Sequence, residues 1–312
     1  MLMATVQSGI AQGLLWAILT IGVFLTFRVL DIPDLTIEGT FPLGAAVTVV
    51  LVNNGMNPIL AMLICVACGA VAGLVTGVLH TKFAIPAILA GILTQIALYS
   101  VNIRIMSDKA TVAFYEDSFK TMITNLFPQG TSPNTISIVV GLVMCFIIIE
   151  LLYYFFGTEV GCAVRATGSN QKMARALGIS TNTMINLCLA VSNALVALAG
   201  SLIAQFDYGS ALVNMGQGTI VIGLASVIIG EVIFVRKERN FGFKMAAVSA
   251  GAIIYRTIIA LALTLPWMKA TDLKLITAVI VAIALAIPAW KGKAGFKRSK
   301  KFNMPKEDEE SA

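Results

Sequence analysis

Long apolar runs separated by short polar breaks fill most of the 312-residue chain. Runs of about twenty apolar residues are long enough to cross a bilayer as a helix. The pattern predicts spans at about 9–28, 58–80, 84–103, 136–156, 183–205, 218–235, 243–265 and 273–290. We therefore expect an all-α polytopic membrane protein with about eight to ten transmembrane or broken helices.

A shorter apolar run at about 40–53 begins near Pro42 and Gly44. It is too short for a simple straight span, so we expect a half-helix or a broken helix there. Irregular backbone at membrane depth is tolerated only where protein or a water-filled path surrounds it. In the next run, Gly69, Gly73 and Gly77 share one helix face, a pattern that favours close packing against another helix.

Composition supports a membrane protein. Only 12% of the residues are charged, against about 25% in soluble domains, and the mean hydropathy is +0.88. An outer-membrane barrel would show alternating segments of about ten residues, and that pattern is absent. The net charge of +6 fits basic cytoplasmic loops, so the bilayer is the expected partner and nucleic acid is not.

Basic residues predict the orientation, because cytoplasmic loops are enriched in Lys and Arg. The stretches "VRKERNFGFK" and "WKGKAGFKRSKK" are basic and two spans apart, so both are predicted to be cytoplasmic. Counting back two more spans places the polar segment 158–182 on the same side and the N-terminus outside. We expect one transmembrane domain over 1–290 and a basic, then acidic, cytoplasmic tail over 291–312.

The sequence offers little chemistry of its own. His80 is the single histidine, no cluster has metal-ligand spacing, and Gly292–Lys293 lacks the rest of a phosphate-binding Walker loop. We expect no metal, no cofactor bound by this chain and no enzymatic site. An ion-coupled secondary transporter, a channel and a membrane scaffold remain alternatives at this point.

Arg256 lies inside the predicted span "GAIIYRTIIALAL". An ionisable residue in hydrocarbon costs at least a few kcal/mol and is retained for a reason. One hypothesis is that Arg256 lines a polar path. The other is that it forms a structural ion pair with a carboxylate such as Glu231 or Glu150.

Two short segments resemble each other. "GTFPLGAA" begins at residue 39 and "GTIVIGLA" at residue 218, and both follow G-T-x-x-[L/I]-G-x-A. They are predicted to enter the membrane from opposite sides, as in an inverted repeat with broken helices facing each other at the midplane; chance is the alternative. Under the repeat hypothesis the solute path is bordered by Gly39, Thr40, Gly44, Gly218, Thr219 and Gly223.

The polar segment "EVGCAVRATGSNQKMARALGIST" interrupts the apolar pattern between two spans. Ser169 or Asn170 can cap a short helix, and Gly178 suits a left-handed end. The apolar residues of this helix are expected on one side, with Lys172 and Arg175 flanking them: Met173, Ala174, Leu177 and Ile179. A helix this short is marginal alone, so it needs anionic lipid or a groove on another protein.

This segment resembles the cytoplasmic coupling loop of ATP-binding-cassette importer permeases of the ribose and branched-chain amino acid type. Their pattern is G-x-x-x-R-A-x-G-x-N-x-x-A-A-x-x-x-G-I. The matching residues are Gly161, Arg165, Ala166, Gly168, Asn170, Ala174, Gly178 and Ile179. Met173 stands where many relatives have alanine. The resemblance implies that Arg175 and Leu177 also belong to a coupling helix that docks into the ATPase subunit.

The likeness covers nearly the whole chain. "LDIPDLTIEGTFPLGAAV" resembles the family's D-L-S-V-G segment through Asp34 and Thr36, but Glu38 stands where sugar permeases have glycine. Glu231 likewise replaces the second glycine of a later G-G region. With Arg256, these four residues complete the expected translocation path.

The resemblance implies a subunit of an importer in the bacterial cell membrane. Its expected partners are a second permease copy, identical or paralogous, a cytoplasmic ATPase that carries ATP and Mg, and an extracytoplasmic binding protein. The variants at Glu38 and Glu231 are most similar to the subgroup predicted to import aromatic amino acids. The segment 104–135 is a contact for the binding protein or a solvated connector.

Overall fold

The structure is a computed structural model that describes residues 2–128, 130, 132–235, 240–264, 275, 277–279, 281 and 282. Its longer helices are α1 Leu2–Phe24, α2 Ile37–Asn53, α3 Pro58–Thr81, α4 Ala87–Ile105, α6 Pro133–Gly157, α9 Thr181–Ile203, α10 Thr219–Phe234 and α11 Phe241–Ala262. The shorter ones are α5 Phe119–Thr124, α7 Glu159–Ser169 and α8 Gln171–Ala176. Single π-helical turns, Leu25–Val29 and Ala204–Tyr208, extend α1 and α9, and a 3₁₀ turn, Val213–Gly216, precedes α10.

Seven helices in the described part of the chain are long and apolar enough to cross a membrane. They confirm the predicted spans from 9–28 to 243–265 apart from the short one, although α1 begins earlier, at Leu2. The last predicted span, 273–290, lies mostly outside the described residues, as do residues 236–239 of the basic loop and the tail 291–312. Inside 273–290, residues 275, 277–279, 281 and 282 are helical.

The segment at 40–53, predicted as a half-helix or a broken helix, is one short helix without a break, so the broken-helix alternative was wrong. α2 has 17 residues and is about 25 Å long at 1.5 Å per residue, which is short of the roughly 30 Å hydrocarbon core. Pro42 lies inside it and cannot donate to the carbonyl of Glu38. Gly216 packs against that carbonyl and against the Pro42 ring. The irregular backbone instead precedes α2, at residues 31–34.

A two-stranded antiparallel ribbon is an addition to the expected all-helical fold. β1 Thr111–Ala113 pairs with β2 Ser210–Leu212, with Thr111 opposite Leu212. Asn53 binds the same segment, donating to the carbonyl of Ala113 at 2.9 Å and accepting from the Tyr115 amide at 2.9 Å. The described part of 104–135 is therefore attached to the bundle. We call this the ribbon end, and the opposite end, where α7 and α8 lie, the coupling end.

Glycines bring the central helices into backbone contact, as the spacing on α3 predicted. Gly69, Gly73 and Gly77 lie against the backbone of α9 at successive turns. Gly44 of α2 lies against the Ala197 backbone of α9, and Gly200 of α9 lies against the Phe41 backbone of α2. A Cβ at these positions would overlap backbone atoms, so α2, α3 and α9 form a tightly packed centre.

We expect Gly73→Leu to destabilise the protein by about 1–3 kcal/mol or more, because the new side chain would overlap the Leu189 backbone. The measurement is thermal unfolding of the intact protein in detergent. Gly157→Leu is the matched control, since Gly157 is also helical but has nothing within 4 Å of a built Cβ. Equal melting temperatures for the two variants would show that the α3–α9 contact tolerates a side chain.

Candidate functional site

The N-termini of α2 and α10 meet near the middle of the bundle. α2 runs from there to the ribbon end, where Asn53 binds β1 and its neighbour. α10 runs toward the coupling end, where Glu231 pairs with Arg28. Trp16 lies at the middle of the first span, and its ring lies 5.5 Å from the ring of Phe41 near the start of α2. The start of α2 is therefore close to the middle of that span. This arrangement fits the predicted inverted repeat, with two helix starts facing each other.

Glu38 lies between the two helix starts. Its Oε1 accepts from the Gly218 amide at 2.9 Å, and its Oε2 accepts from Gln95 Nε2 of α4 at 3.1 Å. The adjacent Gly39 carbonyl accepts from Asn102 Nδ2 at 3.1 Å. Glu38, Gly39, Gln95 and Asn102 line one side of a cavity of about 220 Å³. A carboxylate at a helix N-terminus is favourable because both helix dipoles present their positive ends to it.

A buried polar network fixes the start of α2. Asp34 is 1% exposed, and both its oxygens are occupied: Oδ1 accepts from the Thr36 amide at 2.9 Å and Oδ2 accepts from Asn193 Nδ2 at 2.7 Å. Thr40 Oγ1 donates to Asn193 Oδ1 at 2.8 Å. Thr36 Oγ1 lies 2.6 Å from Thr76 Oγ1 of α3. The predicted residues Asp34, Thr36 and Thr40 are thus brought together around Asn193.

Other predicted path residues lie apart from this network. Gly44 and Gly223 are packing positions, against Ala197 and Val23 respectively. The Thr219 hydroxyl donates to the Gly216 carbonyl at 2.8 Å and closes the turn before α10.

Glu231 is at the coupling end, where Arg28 Nε donates to its Oε2 at 3.0 Å. This pair is partly exposed, so it is worth little in stability.

Neither carboxylate proposed for Arg256 pairs with it. Glu231 is bound by Arg28, and among the described residues no salt bridge joins Arg256 to Glu150. Arg256 instead stacks on the Trp16 ring, 3.6 Å from its centroid, and among the described carboxylates Asp207 interacts with it electrostatically. The Arg256 side chain borders a second cavity of about 540 Å³.

The polar segment 158–182 forms two helices rather than one. Thr158 caps α7 by accepting from the Gly161 amide at 3.3 Å, and Asn170 caps α8 by accepting from the Met173 amide at 3.1 Å. Of the two predicted caps, Asn170 is therefore the one used. Gly178 ends the segment with φ of +82°, the left-handed conformation that its position predicted.

The apolar residues predicted on one side of this segment differ in exposure. Ala174 is fully buried against the bundle, Met173 is 51% exposed and Leu177 is 70% exposed. Met173 and Leu177 are four residues apart and lie on the same side of the helical turn. Arg175 is held in place by donating from Nε to Thr181 Oγ1 at 2.7 Å. Two apolar side chains therefore project from the coupling end.

α7 lies directly against the end of the first span. Gly168 contacts the backbone of Val29 and Leu30, where a Cβ would overlap the Val29 carbonyl. Arg165 lies over the Phe241 ring at 5.7 Å and donates to Cys162 Sγ at 3.1 Å. Ala166 is partly buried in the same helix. Movement of α7 would therefore reach the chain that leads to Asp34.

Sequence reasoning missed the amide side chains of this region. Asn193, Gln95 and Asn102 each lie within a predicted span, and each binds a residue near the start of α2. An amide side chain in an otherwise apolar run was the sequence feature that could have indicated these residues, but such a side chain also occurs in ordinary helix–helix contacts.

This chain is similar to known proteins along most of its length. Residues 5–286 match a family model described as branched-chain amino acid transport system / permease component. The chain is 41% identical over 284 residues to the tyrosine transport system permease protein of Clostridioides difficile (strain R20291), covering 91% of each protein. It is 27% identical to the fructose import permease protein FruG of Bifidobacterium longum (strain NCC 2705), covering 69% of this chain and 63% of that one.

A solved structure of a metal-chelate type ABC transporter in an inward-facing conformation aligns with a TM-score of 0.49 and 15% identity, covering 92% of this chain and 85% of that one. The family model spans nearly all of the described bundle, and the tyrosine permease is similar over the same length. The chain therefore belongs to the family of branched-chain amino acid transport system permease components, and it is the permease component of an ATP-binding-cassette transport system.

Proposed function

We propose that this permease imports an aromatic amino acid across the bacterial cell membrane. An extracytoplasmic binding protein delivers the solute to the ribbon end, and a cytoplasmic ATPase, which carries ATP and Mg, docks at the coupling end. A second permease copy, identical or paralogous, completes the path. The similarity to a tyrosine transport permease along the whole chain supports this solute class. An ion-coupled secondary transporter or channel is not favoured by the family to which the chain belongs.

The solute is proposed to move between the N-termini of α2 and α10, which face each other. Polar side chains concentrate there inside an apolar bundle, and helix N-termini that face each other at the midplane are a known basis for solute sites. Glu38, Gly39 and Gly218 stand beside this path, whereas Asp34, Thr36 and Thr40 hold its wall in place. In this proposal Gly44, Thr219 and Gly223 support the wall by packing, Glu231 forms a weak ion pair at the coupling end, and Arg256 borders a separate, mostly apolar cavity.

The single observation that carries the coupling mechanism is the backbone contact of Gly168 with Val29 and Leu30. The ATPase is proposed to bind Met173 of α8 and Leu177, which follows α8. When the ATPase closes around bound ATP, it is proposed to displace α7. The Gly168 contact passes this displacement to residues 31–34, which lead into α2. The start of α2 then shifts relative to α10 and opens or closes the path between them.

We expect the reconstituted importer to accumulate L-tyrosine in an ATP-dependent manner in proteoliposomes. The complete system contains this permease, its ATPase and its binding protein, and radiolabelled uptake is the measurement. An ATPase variant that binds but cannot hydrolyse ATP is the control and should abolish accumulation. Uptake by the permease alone, driven by an ion gradient, would contradict the proposal and favour a secondary transporter.

We expect the double variant Met173→Asp, Leu177→Asp to weaken ATPase binding at least tenfold, because two exposed apolar side chains lose the burial that docking provides. Binding of the purified ATPase to the permease in nanodiscs measures this. The control is Met122→Asp, since Met122 is 42% exposed on α5, which packs near the ribbon end. Unchanged ATPase affinity in the double variant would rule out α8 as the docking element.

A further inference from the structure

We infer that the cavity around Glu38 binds the ammonium group of the transported amino acid. This inference rests on the proposed function, because it assigns one part of the solute to one part of the proposed path. The cavity is lined by Glu38, Gln95, Tyr99, Asn102, Asn214 and Gln217, together with smaller residues of α2 and α4 and the turn before α10.

Glu38 carries a negative charge that lacks a basic partner among the described residues. Among the residues that the structure describes, no Lys or Arg lies within 4.0 Å of its carboxylate. Its two hydrogen-bond donors, the Gly218 amide and the Gln95 side chain, are both neutral. Two carboxylate oxygens offer about four acceptor positions, and these donors use two. The helix N-termini favour the negative charge, but no basic side chain of the described residues pairs with it.

Asn102, a residue that lines the same cavity, holds an unsatisfied acceptor. Asn102 is fully buried, and its Nδ2 donates to the Gly39 carbonyl at 3.1 Å. That bond fixes the orientation of the amide, and among the described residues the Oδ1 atom has no hydrogen-bond partner. Buried polar atoms without a partner are uncommon in folded proteins. The missing group must be a hydrogen-bond donor, since the atom that lacks a partner is an acceptor.

The chemistry and size of the cavity also suit an ammonium group. No basic side chain is among the described residues that line it. A primary ammonium carries three donors and one positive charge, which matches Glu38 and Asn102 together. Tyr99 supplies an aromatic ring, and such rings are favourable neighbours of cations. At about 220 Å³ the cavity is smaller than the roughly 300–1,000 Å³ of a whole-ligand pocket, so it suits a head group.

The test pairs a change in the protein with a change in the ligand. Full-length permease with its ATPase, in nanodiscs, is tested for equilibrium binding of L-tyrosine and of 3-(4-hydroxyphenyl)propionate, which lacks the amino group. We expect the wild type to prefer L-tyrosine by about 10- to 100-fold, as for a charge-assisted hydrogen bond. In Glu38→Gln the preference should fall to near one. A general distortion of the site would weaken both ligands and leave their ratio unchanged.

Two further variants sharpen the test. Glu38→Asp keeps the charge and should retain part of the preference. Glu150→Gln removes an exposed glutamate of α6 and should keep the wild-type ratio. Wild-type protein without a preference for the amino group, or Glu38→Gln with the wild-type ratio, would overturn the inference while tyrosine uptake by the whole importer still supported the proposed function. Failure of the wild-type importer to take up any amino acid would overturn both.

Discussion

The contact between Asp34 and Asn193 determines the geometry of this bundle. Between α1 and α2 the chain is irregular and buried among helices, where each backbone and side-chain polar group needs a partner inside the protein. Asp34 and Asn193 supply such partners, and Thr36, Thr76 and Thr94 extend the network to α3 and α4. This network fixes the start of α2 near the centre of the bundle. It thereby also fixes the direction of α2 and the position of Glu38, the next acidic residue along the chain.

Close backbone contacts make the centre behave as a unit. α2, α3 and α9 touch through glycines that leave no room for independent bending, and packed interiors transmit displacement because they are dense. A force applied at α7 would therefore move a group of helices rather than one side chain. The partly exposed Arg28–Glu231 pair links α1 to α10 at the same end. Because such a pair is weak, it allows this group to shift relative to α10 at low energetic cost.

The sequence was sufficient to predict the long spans, since the length of a span depends mainly on the number of consecutive apolar residues. It left α2 open between a half-helix and a broken helix, because apolar length gives no information on where the polar start of a buried helix finds its partners. α7 was missed because "EVGCAVRATG" contains glycine and β-branched residues of modest helix propensity. In the structure, Gly161 and Gly168 pack against Phe156 and Val29 and stabilise the helix by tertiary contact. The neighbours of Arg256 depend on three-dimensional proximity, which a single sequence does not contain.

The small size of α8 has a consequence for assembly. Its docking face offers two projecting apolar side chains, each worth about 1.5–3 kcal/mol when fully buried. Their sum is comparable to or below the roughly 4–15 kcal/mol that association costs in lost translational and rotational freedom. One such helix cannot hold a soluble partner by itself. A stable complex requires several weak contacts engaged at once, so that each raises the effective concentration of the next. Affinity for the partner is then a property of the whole assembly, and it would fall steeply if the geometry prevented simultaneous engagement.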